Sequence, residues 1–192
     1  MKRKAIGMIG LCILLLAGCG KTQDTAQDGT QNGEVTAENV KAGESAVVAE
    51  FGKLRITLPG GFQESTTAGL YLNPDYPSDP SNVYLYATEK STDFAQIMQG
   101  GQQEFVDGLV QNYQEQYGEA PEVTVFCYRP AVVGLYNAYE IEVGYTLQGI
   151  TYHQLEYIID AEQTYYVAYT QAGTGDWMND YYTAASGMYF ME

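Results

Sequence analysis

Hydrophobic and polar positions along the chain fall into three regimes. Residues 5–16 are almost wholly apolar behind a basic head, Met1 to Lys4. Residues 20–45 are mostly Thr, Gln, Asp, Gly, Asn, Glu and Ala, with no aromatic residue and no period. From Val47 onward the pattern alternates at a period of two, broken once by a long stretch at helical spacing. In "KLRITL", Leu54, Ile56 and Leu58 point one way and Lys53, Arg55 and Thr57 the other, which predicts a strand. Pro59-Gly60-Gly61 ends it, because proline lacks a ladder donor and glycine tolerates the turn. Residues 69–72 form a short strand candidate, "NPDYPSDPSN" (73–82) a loop, and "VYLYAT" (83–88) a strand with tyrosines on one face.

The helical stretch places Phe94, Ile97, Met98, Phe105, Leu109, Val110 and Tyr113 at three- and four-residue steps. Thr92 or Asp93 stands where a cap belongs. Gly100-Gly101 falls inside, at about 1 kcal/mol per glycine against alanine. The helix is therefore expected in earnest from Gln102, after a kink, and to stop at Gly118. Four strands follow, at 123–133, 135–147, 151–159 and 164–171. They are parted by turns at Gly134-Leu135-Tyr136-Asn137, Gln148-Gly149 and residues 160–163. Ile141, Val143, Tyr145 and Leu147 oppose Glu140, Glu142 and Thr146; Leu155, Tyr157 and Ile159 oppose Gln154, Glu156 and Asp160. One apolar and one wet face are expected from that alternation. A closing helix is expected from Asp176 to about Ser186, with Trp177, Tyr181 and Ala184 or Ala185 inward. Strands, helix, four strands, helix reads as α+β: an antiparallel sheet of about six to seven strands flanked by helices.

The first regime changes the picture of where the chain resides. An apolar run of that length is a signal-peptide core, too short for the ~20 residues of a membrane span. Leu16-Ala17-Gly18-Cys19 resembles a bacterial lipobox, which implies cleavage before Cys19 and acylation of its thiol. Residues 1–18 then read as a signal peptide, 19–46 as a lipidated cysteine with a flexible polar linker, and 47–192 as one globular domain. A linker of that composition cannot bury enough apolar surface to order itself. It reaches on the order of 30 Å. The expected location is the extracytoplasmic face of a cell membrane, with a Gram-positive surface favoured by Gly20 and the long spacer.

Charge and cysteine usage narrow the function. The formal charge is −15, from 9 basic and 24 acidic residues. Removing Lys2, Arg3 and Lys4 leaves six bases against 24 acids, or −18. Such a surface repels nucleic acid, and that function class is discarded. With Cys12 in the signal and Cys19 acylated, only Cys127 remains, so no internal disulfide forms. Cys127 sits in the apolar run "VTVFCY" and reads as a small buried hydrophobe.

"RITLPGGF" (55–62) resembles the opening strand and Pro-Gly-aromatic turn of the PsbP-like fold. The long helix, "YHQLEYIID", "TYYVAYT" and the closing helix extend that resemblance over roughly residues 51–192, in particular to small bacterial lipoproteins of that fold. It implies an antiparallel sheet packed by helices on both faces. It supplies no catalytic set, so no residue role is transferred.

Candidate chemistry is sparse. His153 is the only histidine, which excludes a two-His zinc site within the chain. It is expected on the inward face with Leu155 and Tyr157, as a partly buried structural histidine. Asp75, Asp79 and Asn82 offer hard oxygens for calcium, but without the EF-hand pattern they read as a solvated loop. Glu140 and Glu142, two apart on one strand, read as an exposed acidic face rather than glycosidase carboxylates. "QAGTGD" (171–176) lacks the Lys-Thr of a phosphate loop and reads as a turn and cap. Tyr84, Tyr86 and Tyr128 are the candidate ligand-binding residues, since tyrosine enriches binding surfaces. No cofactor and no catalytic residue is expected.

The sequence thus supports a lipid-anchored extracytoplasmic binding or assembly module. Its expected partners are the membrane, through Cys19, and an envelope protein or cell-wall component. The alternatives are an envelope hydrolase using carboxylates or Cys127, and a purely structural surface lipoprotein.

Overall fold

The computed structural model describes residues 47–90, 93–173 and 175–192. The lipobox, Cys19, the spacer and the Thr92 cap lie outside the described residues. The elements in chain order are β1 (Val47–Phe51), β2 (Leu54–Leu58), β3 (Gln63–Glu64), β4 (Leu70–Leu72), β5 (Asn82–Glu89), α1 (Asp93–Tyr117), β6 (Val123–Val133), β7 (Tyr136–Leu147), β8 (Ile150–Asp160), β9 (Gln163–Ala172), α2 (Met178–Ser186) and β10 (Tyr189–Phe190).

Seven strands form one antiparallel sheet in the order β3-β4-β5-β9-β8-β7-β6. This is the antiparallel sheet that the alternation predicts. β6 to β9 form the expected meander on tight turns. Gln148 and Gly149 both have positive φ (51° and 78°), the backbone of a two-residue hairpin turn that matches strand twist. The turn before β7 is shorter than expected. Only Gly134 and Leu135 lie outside the strands, and Tyr136 and Asn137 already pair with Val133 and Val132.

A second sheet of three strands, β1-β2-β10, was not legible as separate. Leu54, Ile56 and Leu58 point inward as expected. Arg55 does not face water: it is buried, with Nε 2.9 Å from a Glu50 carboxylate oxygen and Nη1 donating to the Gly52 carbonyl at 2.8 Å.

The large sheet is covered on both faces. On one face lie β2 and α2, with Leu54, Ile56, Tyr181 and Ala184 against Leu155, Ile159, Val167 and Tyr169. On the other lies α1, with Phe105, Leu109 and Tyr113 against Ile141, Val143, Tyr145 and Ile158. Burial of such side chains, at about 25 cal/mol per Å² of apolar surface, is what holds three layers together. The expected wet face of β8 is therefore corrected. Gln154 and Glu156 are fully buried beneath α1.

α1 breaks at Gly101 (φ 75°, ψ −172°), the kink that the paired glycines predict, and ends at Gly118. α2 starts at Met178, two residues later than expected, and Asp176 does not cap it. Gln171 of β9 does so instead: its Oε1 accepts from the backbone N–H of Trp177 (2.7 Å) and of Met178 (3.1 Å).

Candidate functional site

The site is built by one irregularity in β6. Val125 pairs with Val143, but the next partner, Glu142, faces Cys127, so Phe126 is an extra residue. A bulge of this kind re-aims side chains. Phe126 stands over Gly144, where a Cβ would come within 2.8 Å of its ring, and lies beside the His153 ring at 4.9 Å. Cys127 turns to the same side and is half-buried rather than in the core. It lies 3.9 Å from Glu140 Oε1. Alternation could not have placed these two residues, because the bulge shifts the period.

Cross-strand register then assembles a strip. Arg129, Glu140 and Tyr157 form one row; Cys127, Glu142 and Leu155 the next; Gly144 and His153 a third. Arg129 Nη2 donates to both Glu140 oxygens at 2.8 and 2.9 Å. His153 Nε2 lies 2.6 Å from Glu142 Oε1, with about a third of its side chain exposed. The exposed Tyr182 of α2 lies near Glu142, and burial and then that carboxylate push its hydroxyl up. Burial and then Glu140 push the Tyr157 hydroxyl up to about 12.

The polar groups of the strip are paired with one another. Burial, then the Glu140 carboxylate, push the Cys127 thiol above its ordinary value. A nucleophilic thiol needs the opposite shift. Both carboxylates are engaged by a base of their own chain. Among the described residues, no group of three or more His, Cys, Asp or Glu side chains is arranged to hold a metal.

The remaining sequence candidates sit elsewhere. Tyr84 and Tyr86 stack at 5.4 Å, and Tyr86 stacks on Tyr166 at 4.4 Å. Tyr128 lies on the same sheet face, four strands away, against Tyr139 (5.0 Å) and Phe105 (6.0 Å). All three belong to the α1 side and do not converge. Asp79 is occupied by its own fold: Oδ1 accepts from the Ser81 N–H and Oδ2 from Trp177 Nε1 at 2.8 Å. Asn82 donates to the Pro80 carbonyl, so the calcium reading has no free ligand set there.

Sequence reasoning missed Glu156. It is fully buried, and burial raises its carboxyl to about 7 against an opposing hydrogen bond from Gln154. Gln154 Nε2 donates to Glu156 Oε2 at 3.2 Å, and Gln154 Oε1 accepts from the Tyr145 hydroxyl; among the described residues Glu156 Oε1 has no hydrogen-bond partner. The signal was available only at the level of layers. Two amphipathic helices require two covered sheet faces.

A seven-stranded antiparallel sheet between one long helix and a small sheet with a short helix defines an α+β protein of the PsbP-like fold. The resemblance read from "RITLPGGF" agrees with solved structures. The chain is similar to cyanobacterial PsbP (CyanoP) from Synechocystis sp. PCC 6803, with a TM-score of 0.55 at 10% identity, over 80% of this chain and 98% of that one. It is also similar to LpqN of Mycobacterium tuberculosis, described as involved in cell envelope biogenesis, with a TM-score of 0.44 at 17% identity, over 80% and 87%. The first likeness establishes the shared fold and nothing about activity. No protein-family model matches the sequence, and no curated protein does.

Proposed function

We propose that the chain is a lipid-anchored extracytoplasmic module. It is held through Cys19 and docks an envelope protein or cell-wall component through the β6–β7 strip, without catalysis of its own. The observation that carries this reading is the state of the strip itself. It presents an exposed Phe126, an Arg129 that is mostly in water and two tyrosines, while burial and Glu140 push its thiol up and its carboxylates pair with Arg129 and His153. Aromatic and arginine side chains over a partly desolvated polar floor are the composition of a recognition surface. Among the described residues no helix is long and apolar enough to cross a membrane; what supports attachment through the cysteine is the Leu16-Ala17-Gly18-Cys19 pattern of the sequence.

A photo-crosslinking residue at position 126 of the full chain, expressed in cells, is expected to give a defined envelope adduct. The same residue at exposed Gln103 on α1 should not. Identical adduct patterns from both positions would remove the docking surface. Intact mass of the native protein should show a diacylglyceryl group on a chain starting at Cys19; a chain starting at Met1 refutes the anchor. Hydrolysis of an envelope polymer that disappears in Glu140→Gln would establish the enzyme reading instead.

A further inference from the structure

Glu156 stands in the interior of the large sheet. Cross-strand register places Ile141 of β7 on one side of it and Ala168 of β9 on the other. Both ladders hold β8 in place, so the carboxyl meets water only if its cover moves. That cover is α1, whose Phe105, Leu109 and Tyr113 pack on the same face of the sheet. A helix bonds its backbone internally, so lifting it breaks side-chain packing and no ladder. Gly101 (φ 75°) and Gly118 (φ 72°) bound residues 102–117 as one rod between two joints.

Nothing in this layer neutralises a carboxylate. Residues 93–117 include no Lys, Arg or His. The bases among the described residues are engaged elsewhere: Lys53 with Glu162, Arg55 with Glu50, Lys90 with Asp160, Arg129 with Glu140 and His153 with Glu142. The titratable groups in the layer around Glu156 are hydroxyls: Tyr113 from α1, Tyr145 from β7, Tyr152 from β8 itself and, on the diagonal, Tyr166 from β9. Burial above all pushes Tyr113, Tyr145 and Tyr152 up, so they stay neutral. The carboxylates of the rod, Glu104, Asp107 and Glu115, are exposed. Glu156 has one bond, from Gln154, and its Oε1 has none. An ionised group in that position is costly to keep dry.

We infer that Glu156 is a pH-operated release for α1: when it loses its proton, residues 102–117 lift from the sheet as a unit and admit water. The sign follows from burial, which holds the carboxyl at about 7 against 4.5 in water. The closed state is fully favoured below pH ~4.5, loses ground as pH rises toward 7 and loses no more above it. Between pH 5 and 8 that gap multiplies the opening equilibrium by about 70. The device is independent of the β6–β7 strip, which lies on the opposite face of the sheet.

Hydrogen exchange read by mass spectrometry on the full chain at pH 5, 6, 7 and 8 tests it. After correction for the intrinsic rise of amide exchange with pH, opening of residues 102–117 should increase about 70-fold from pH 5 to 8 in wild type and stay level in Glu156→Gln. Amides of α2 and β2, on the other face, should not follow. A level wild-type profile, an equal rise in Glu156→Gln, or an equal rise in α1 and α2 would each overturn the proposal. Should Glu156→Gln fail to fold, wild-type α1 against wild-type α2 decides.

Discussion

Replacing Glu156 by Gln should stabilise this protein, and only above a defined pH. The carboxyl is wholly buried beneath α1 with one oxygen unpartnered. Burial raises it from 4.5 to about 7. In the unfolded chain it ionises at its ordinary value, so the unfolded state loses its proton first. Stability from this site is complete below pH ~4.5, falls as pH rises toward 7, and is constant above that. The difference of about 2.5 pH units corresponds to roughly 3 kcal/mol. Glutamine keeps the shape and still accepts from Gln154 Nε2, but has no proton to lose. Urea denaturation of wild type and Glu156→Gln at intervals from pH 4.5 to 8 isolates the site, because other carboxylates cancel in the difference. With a slope of about 2 kcal/mol/M, the variant's midpoint should rise by about 1.5 M at pH 8 and coincide with wild type near pH 4.5. Parallel midpoints across the range would refute the reasoning, as would a variant less stable at pH 8.

Three further outcomes are expected. The Cys127 thiol, raised by burial and Glu140, should react with a disulfide reagent at pH 7.5 more slowly than glutathione does; a faster reaction would reopen the thiol chemistry. Gln171→Ala strips the cap from α2 and should cost about 1–2 kcal/mol, read as a fall of several degrees in Tm by circular dichroism. Leu135→Asp, at a hairpin tip that is 98% exposed, should leave Tm unchanged, whereas Ile141→Ala, buried between α1 and the sheet, should cost about 2–5 kcal/mol.

The meander and both helices were legible because their period survives in the chain: Ile141 to Leu147 alternate, and Phe105, Leu109 and Tyr113 recur at helical steps. Gly101 announced its kink. What escaped was set at long range. Gln154 and Glu156 look like surface residues on their own strand, and only α1 overhead makes them core. Gln171 caps a helix six residues on through a side chain, which no local capping pattern signals. Arg55 is internal because Glu50 and the Gly52 carbonyl receive it. The strip on β6 and β7 escaped for a different reason. A single inserted residue at Phe126 puts Cys127 out of phase with the rest of its strand, so reading every second position assigns it to the wrong side.

That same insertion bears on how copies of the protein coexist. Among the described residues, β6 is the last strand of its sheet, and it runs for eleven residues. A straight margin of that length is a template on which neighbouring molecules polymerise. On the proposed lipid anchor, copies would meet in two dimensions, where collisions are frequent and orientation is partly fixed. The irregular pitch at Phe126 and the missing amide of Pro130 leave no stretch of β6 longer than a few residues that another copy can match in register. The geometry that assembles the β6–β7 strip also breaks the register that another copy would need along this edge.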